Sequence, residues 1–267
     1  MKKPWPLFAL FAALAVLALP VPAATAAGLA ALSEPVRLTL LQAEGDQVGL
    51  LVRLAPGWKF YWRTPGEGGV PPSFDWSASQ NLAAAAVNWP APERIAIGDV
   101  DLYGYTGEVV LPIAIQRRDG TLPVDLVLSI EYGVCKDICI LREDHLSHRL
   151  DPKDKAANPV NAALLAAWQA RVPRPGRASG VRLLSREVSG SRMVLTLGSD
   201  QLFSTPDLFV EGAPGDWFSR PEVTISADRH QAAFAFTLAP PQAAKGPLTL
   251  TLVDGPRAVE LSAAAPG

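Results

Sequence analysis

Glycine and proline interrupt this chain too often for long helices to form. Among its 267 residues are 21 glycines and 25 prolines. Between them lie short runs in which apolar and polar residues alternate, the two-residue period of a half-buried strand. Val36 to Leu40 alternates, and Val48 to Leu54 follows the turn-like Glu44-Gly45-Asp46. Further strands are expected at Glu108 to Ile115, Val124 to Glu131 and Leu146 to Leu150, with an aromatic segment from Trp58 to Trp62. Thr64 to Phe74 (TPGEGGVPPSF) is expected to be a loop, since its prolines and glycines suit neither helix interior nor central strand. No βαβ rhythm is present, so the fold class is all-β, built as antiparallel sandwiches.

The rhythm breaks once. After a charged stretch from Asp151 to Ala157, Asn158-Pro159 introduces a short helix, Val160 to Ala170, with Asn158 as cap and Pro159 in the first turn. Pro173, Pro175 and Gly176 end it. Beyond it a second β-rich region is expected, with strands at Met193–Leu197, Leu208–Glu211, Glu222–Ser226, Ala232–Leu238, Leu248–Val253 and Ala258–Leu261. At the other end, Lys2 and Lys3 precede an apolar run from Leu7 to Leu19, then Pro20, Pro22 and a small-residue site at Ala24-Thr25-Ala26. This is the pattern of a cleaved secretory signal, and its apolar core is shorter than the roughly 20 residues a bilayer span needs. The expected divisions are a signal peptide, residues 1–26; a first β-sandwich domain, 27–152; a linker with a short helix, 153–178; and a second β-sandwich domain, 179–267.

Export leaves a soluble chain whose formal charge moves from −2 to −4 as Lys2 and Lys3 are removed. That balance gives no electrostatic reason to expect nucleic acid or an anionic membrane surface as partner. The chain has two cysteines, Cys135 and Cys139, in EYGVCKDICI. In an oxidising compartment such a pair is commonly bonded at some stage. Two strand positions four apart are about 13 Å apart, so bonding requires the chain to turn between them. So small a ring constrains little of the unfolded chain, which favours a pair that opens and closes over a purely structural staple.

A structural bridge, on a sandwich that serves as a non-catalytic envelope binding or adaptor module, and a metal-delivery role remain as alternatives. For metal, Cys135, Cys139, His145 and His148 form a superficial zinc set, but the odd separation of the histidines points them to opposite faces of a strand. The single methionine after the signal, Met193, disfavours copper handling. Lys136 would favour thiolate, while Asp137, Glu131 and Asp101 would oppose it. Trp58, Tyr61, Trp62, Trp76 and Trp89 are read as core packing, with a stacked binding face as the alternative. Arg53, Lys59 and Arg63 are read as solvated charges or a partner surface.

Four segments in order, PGWKFYWRTPGEGGVPPSFDW, WPAPER, LYGYTGEVVLP and EYGVCKDICI, resemble the periplasmic N-terminal region of the DsbD/ScsB-type protein-disulfide reductases. The resemblance covers residues 35–150 strongly and the second β region more loosely. It implies immunoglobulin-like sandwiches, with Cys135 and Cys139 as the redox pair, Cys139 forming the mixed disulfide and Cys135 resolving it. No bound cofactor and no metal are expected. The resemblance also implies a cap over the cysteines from Asp101, Leu102, Tyr103, Gly104 and Tyr105, with Leu102 where the family has a phenylalanine and Tyr103 or Tyr105 as alternative cover. The implied partners are a membrane-embedded thiol reductase and periplasmic thioredoxin-fold proteins. Because the sequence contains neither the family's membrane domain nor its thioredoxin-like domain, that reductase is expected to be separately encoded. The cysteine spacing is shorter than in the best-known DsbD domain.

Overall fold

The computed structural model describes residues 34–98, 100–152, 158–240 and 245–265. The expected signal peptide lies outside the described residues. The first half contains β1 (Val36–Gln42), β2 (Val48–Leu54), β3 (Lys59–Gly66), β4 (Ser73–Asp75) and β5 (Leu82–Val87). It continues with β6 (Glu93–Ile97), β7 (Val100–Thr106), β8 (Glu108–Arg117), β9 (Val124–Cys135) and β10 (Cys139–Leu150). One sheet has the order β1-β2-β8-β5, and the other β10-β9-β3-β7-β6, with β4 paired to β9. All these pairings are antiparallel.

Alternation dictates the packing. On β9, Leu126, Leu128, Ile130, Tyr132 and Val134 are buried, and they meet Leu50, Val52, Val109 and Leu111 of the facing sheet in one core. Strand β10 lies at the sheet edge and carries Arg142, Glu143, Asp144, His145, His148 and Arg149. Such charge discourages pairing with another chain.

Helix α1 (Pro159–Gln169) starts where expected, with the Asn158 side chain accepting a hydrogen bond from the Asn161 N–H at 3.1 Å. It is more than a connector. Leu165 packs with Leu41, Leu51 and Val110, covering the outer face of the first sheet. Gly49 makes room, since a Cβ there would stand 2.5 Å from a Leu165 methyl carbon.

The second half contains β11 (Arg174–Pro175), β12 (Val181–Ser189), β13 (Arg192–Ser199), β14 (Asp207–Glu211) and β15 (Trp217–Phe218). Then come β16 (Glu222–Ile225), β17 (Gln231–Ala239), β18 (Leu248–Asp254) and β19 (Arg257–Ala263). Its sheets have the orders β11-β19-β18-β14 and β12-β13-β17-β15, with β16 paired to β17. Met193, Leu195, Leu197, Phe234 and Phe236 meet Leu208, Leu250 and Leu252 in a second core. The protein is therefore two tandem β-sandwiches joined through a short helix.

The two cores touch. Phe209 of β14 belongs to the first core, edge-on to Tyr103 with ring centroids 4.9 Å apart and to Trp62 at 6.1 Å. The stretch expected as one loop from Thr64 to Phe74 is partly strand, since β3 extends to Gly66 and β4 starts at Ser73. The expectation failed because β3 leaves its ladder with β7 between Tyr61 and Gly66. This bulge sends Arg63 and Thr64 outward to Glu211 of β14. A proline inside such a detour loses no ladder bond.

Candidate redox site

Strands β9 and β10 form a hairpin whose last ladder pair is Cys135 opposite Cys139, with Cα atoms 4.1 Å apart. Lys136, Asp137 and Ile138 make the turn, closed by the Lys136 N–H donating to the Ile138 carbonyl at 3.1 Å. The two sulfurs are joined as a disulfide. The turn that bonding demanded is therefore a tight hairpin end.

The two cysteines have different surroundings. Cys135 is 2 % exposed, whereas Cys139 is exposed. Alternation explains the burial: Tyr132 and Val134 fill the core, so Gly133 and Cys135 point to the other face of the sheet. There Cys135 packs with Tyr61, Leu102 and Ile95. The Tyr61 hydroxyl donates to Cys135 Sγ at 2.8 Å and lies 3.5 Å from Cys139 Sγ. Burial raises the Tyr61 phenol above its ordinary pKa, so the proton it donates stays in place.

Residues 67–72 fold over Tyr61. Gly69 has φ +115°, and a Cβ there would stand 2.2 Å from the Tyr61 ring. Gly133 donates its N–H to the Val70 carbonyl at 3.1 Å, and a Cβ on Gly133 would stand 3.2 Å from Val70. Both glycines are needed for the loop to lie this close.

The residues expected to form the cap lie on strand β7 and divide by face. Leu102 packs with Cys135. Tyr103 and Tyr105 point into the first core, where the Tyr105 hydroxyl donates to the Pro90 carbonyl at 2.7 Å. Gly104 crosses Phe60 so closely that a Cβ would stand 2.3 Å from the Phe60 carbonyl oxygen. Asp101 is buried and faces Arg94 and Arg220. The Arg220 hydrogen bonds, aided by the Arg94 charge, hold its carboxyl below the usual carboxylate range despite burial. Lys136 and Asp137 are exposed at the hairpin tip, the Lys136 stem lying along Gly57.

Among the described residues, no group of three or more His, Cys, Asp and Glu side chains is placed to hold a metal. His145 lies by Glu143, and His148 Nε2 is 2.9 Å from the Gln42 side-chain oxygen. Of the tryptophans read as packing, Trp62 is fully buried and Trp58, Trp76 and Trp89 lie against the first core. Tyr61 is the contact that sequence reasoning missed. Its signal was parity: with Phe60 and Trp62 in the core, Tyr61 between them belongs to the opposite face.

Residues 26–150 match the family described as thiol:disulfide interchange protein DsbD, N-terminal. This region is a DsbD N-terminal domain. Residues 171–266 match a domain of unknown function. The crystal structure of the N-terminal periplasmic domain of ScsB from Proteus mirabilis is similar over 86 % of this chain and 92 % of that one. The two share 25 % identity with a TM-score of 0.68. No curated protein matches. The DsbD N-terminal domain here is thus periplasmic and carries a bonded cysteine pair, the redox-capable group of a thiol-disulfide oxidoreductase. Among the described residues, no helix is long and apolar enough to cross a membrane.

Proposed function

We propose that the Cys135–Cys139 disulfide is a reversible exchange centre. It accepts electrons from a membrane-embedded thiol reductase and passes them to oxidised envelope proteins, thioredoxin-fold proteins among them. The working division is a redox sandwich at 27–152, a linker at 153–178 and a second sandwich at 179–267. The observation that carries the reading is the unequal exposure of the two sulfurs, with a hydroxyl aimed at the buried one.

In the loading step a partner thiolate attacks Cys139 Sγ, the S–S bond breaks, and Cys135 leaves as a thiolate that accepts the Tyr61 hydrogen bond. A second partner thiol resolves the mixed disulfide, so two electrons enter and the partner is oxidised. In delivery, the Cys139 thiolate attacks a target disulfide. Cys135 then attacks Cys139 Sγ, restores the ring and releases the target as a dithiol. Exposed Ile138 (69 %), Leu141 (71 %) and Val70 (43 %) beside the hairpin tip give such a partner an apolar surface to dock on.

The deciding measurement is the equilibrium reduction potential of the pair, read by thiol trapping against defined redox buffers. A value in the range of exchanging dithiols, about −120 to −270 mV, supports the relay; one below about −300 mV means a structural bridge and overturns it. Tyr61→Phe keeps the ring that Gly69 and Leu102 pack on but removes the donor. A hydrogen bond to a charged group is worth about 1.5–3 kcal/mol, so reduction by a small thiol is expected to slow about tenfold or more. An unchanged rate would show that the hydroxyl does not assist the departing Cys135 thiolate.

A further inference from the structure

The second sandwich reaches the disulfide's cover without touching the disulfide. Asp101, one residue before Leu102, is its handle. Arg220, just past β15, donates Nε to Asp101 Oδ2 at 2.8 Å and Nη2 to Oδ1. Arg94 of β6 grips Asp207 of β14 through Nε and Nη2, both at 2.9 Å. Its Nη1 donates to Asp101 at 3.3 Å and to the Tyr103 hydroxyl at 3.2 Å. Strand β7 is therefore held on one face by the second sandwich, while its other face lays Leu102 on Cys135.

The same residue anchors the second piece of cover. The Asp101 carbonyl accepts from the Glu67 N–H at 3.0 Å, and the Asp101 N–H donates to Glu67 Oε1 at 3.4 Å. Glu67 opens the 67–72 segment that lies on Tyr61. Leu102 and this segment, the two shields of the buried sulfur, thus both hang from Asp101.

We infer that the second sandwich sets how tightly the cover closes over the Cys135–Cys139 pair, with Arg220 and Asp207 as positioning residues that act through Asp101 and Arg94. This rests on the relay reading, for only a pair that exchanges needs controlled access. The second sandwich contains no cysteine of its own, so its contribution is to hold strand β7. A partner that displaced Arg220 from Asp101 would loosen both shields at once.

The test compares the rate at which the Cys135 thiol, left alone by Cys139→Ser, reacts with a small aromatic disulfide in Arg220→Gln, Arg220→Lys, Asp207→Asn and the chain that is wild type at those positions. The Arg220 side chain is 58 % exposed, so its replacement removes the ion pair with little loss of packing. Arg220→Gln is expected to react about fivefold faster, the effect of losing one part-exposed ion pair. Asp207→Asn should move the same way, and Arg220→Lys, which keeps the charge but not the fork, should fall between. Arg192→Gln, which breaks the exposed pair with Glu222, should match wild type. In the same variants with both cysteines kept, the equilibrium potential should not move, because cover over the site changes access rather than the relative stability of dithiol and disulfide. Wild-type rates in both Arg220→Gln and Asp207→Asn would overturn the clamp and leave the relay standing. A wild-type potential in the structural range would remove the relay instead, whatever the rates.

Discussion

Arg94→Ala is expected to destabilise the protein by about 3–5 kcal/mol, the cost of removing one partner from a buried ion pair. The Arg94 side chain is only 7 % exposed. It makes a two-pronged contact with Asp207, reaches Asp101 and Tyr103, and donates to the Leu208 carbonyl. Its guanidinium also stands over two rings, 4.9 Å from Tyr103 and 4.8 Å from Phe209. Burial opposes its charge, but the Asp207 and Tyr103 hydrogen bonds and neighbouring negative charge outweigh it and hold the pKa above the ordinary arginine value. Removing the side chain leaves Asp101 to Arg220 alone and opens a void beside the Tyr103–Phe209 contact.

Urea unfolding, followed separately by near-ultraviolet signal and by proteolysis between the sandwiches, would measure the loss and show where it falls. The expected pattern is early release of the second sandwich. Arg94→Lys should recover only part of the loss, because an ammonium reproduces neither the fork to Asp207 nor the planar stacking. A loss below about 1 kcal/mol, typical of surface pairs, would mean that the two sandwiches are held by their apolar contact and not by this arginine.

What was legible in the sequence was what local periodicity controls. β9 announced itself because one of its faces is core throughout, and the Asn158-Pro159 start of α1 rests on a cap that needs no distant partner. Strand β7 was absent from the strands expected on periodicity because both its faces are covered. Asp101 to Tyr105 is buried without interruption, so no polar alternation marks it, and Gly104 argues locally against a strand although close passage over Phe60 requires it. The charges were harder still. Arg53 pairs with Glu108 at the surface, and Lys59 donates to the Gly57 carbonyl, so solvated roles describe them well. Arg63 reads the same way in sequence, yet it binds Glu211 and Glu260 of the other sandwich. Partners about 150 to 200 positions away leave no local trace. The cysteine pair was found by residue type and spacing, but its asymmetry depends on Tyr61 and Leu102, which arrive from two other strands.

That asymmetry sets the last expectation. Cys135→Ser should accumulate a long-lived mixed disulfide through Cys139, and Cys139→Ser should form almost none. Exchange requires an incoming group in line with the sulfur under attack. Cys139 stands exposed at the hairpin tip, while Cys135 lies beneath Leu102 and against Tyr61. In Cys135→Ser the resolving sulfur is gone, so the captured partner cannot be released from within. In Cys139→Ser the remaining thiol is shielded, and its reaction with a small aromatic disulfide should be at least about tenfold slower than that of Cys139. Non-reducing electrophoresis after incubation with an oxidised thioredoxin-fold protein reads the first result, and absorbance of the released aromatic thiol reads the second. Capture by Cys139→Ser instead would mean that the cover opens fully in solution and that Cys135 is the attacking sulfur. The fold does not depend on either residue: by the chain-entropy relation a ring of five residues contributes about 2 kcal/mol, little beside two complete apolar cores. A double Cys135→Ser, Cys139→Ser protein should therefore stay folded and lose exchange entirely, which separates the chemistry of the pair from any part it has in holding the hairpin closed.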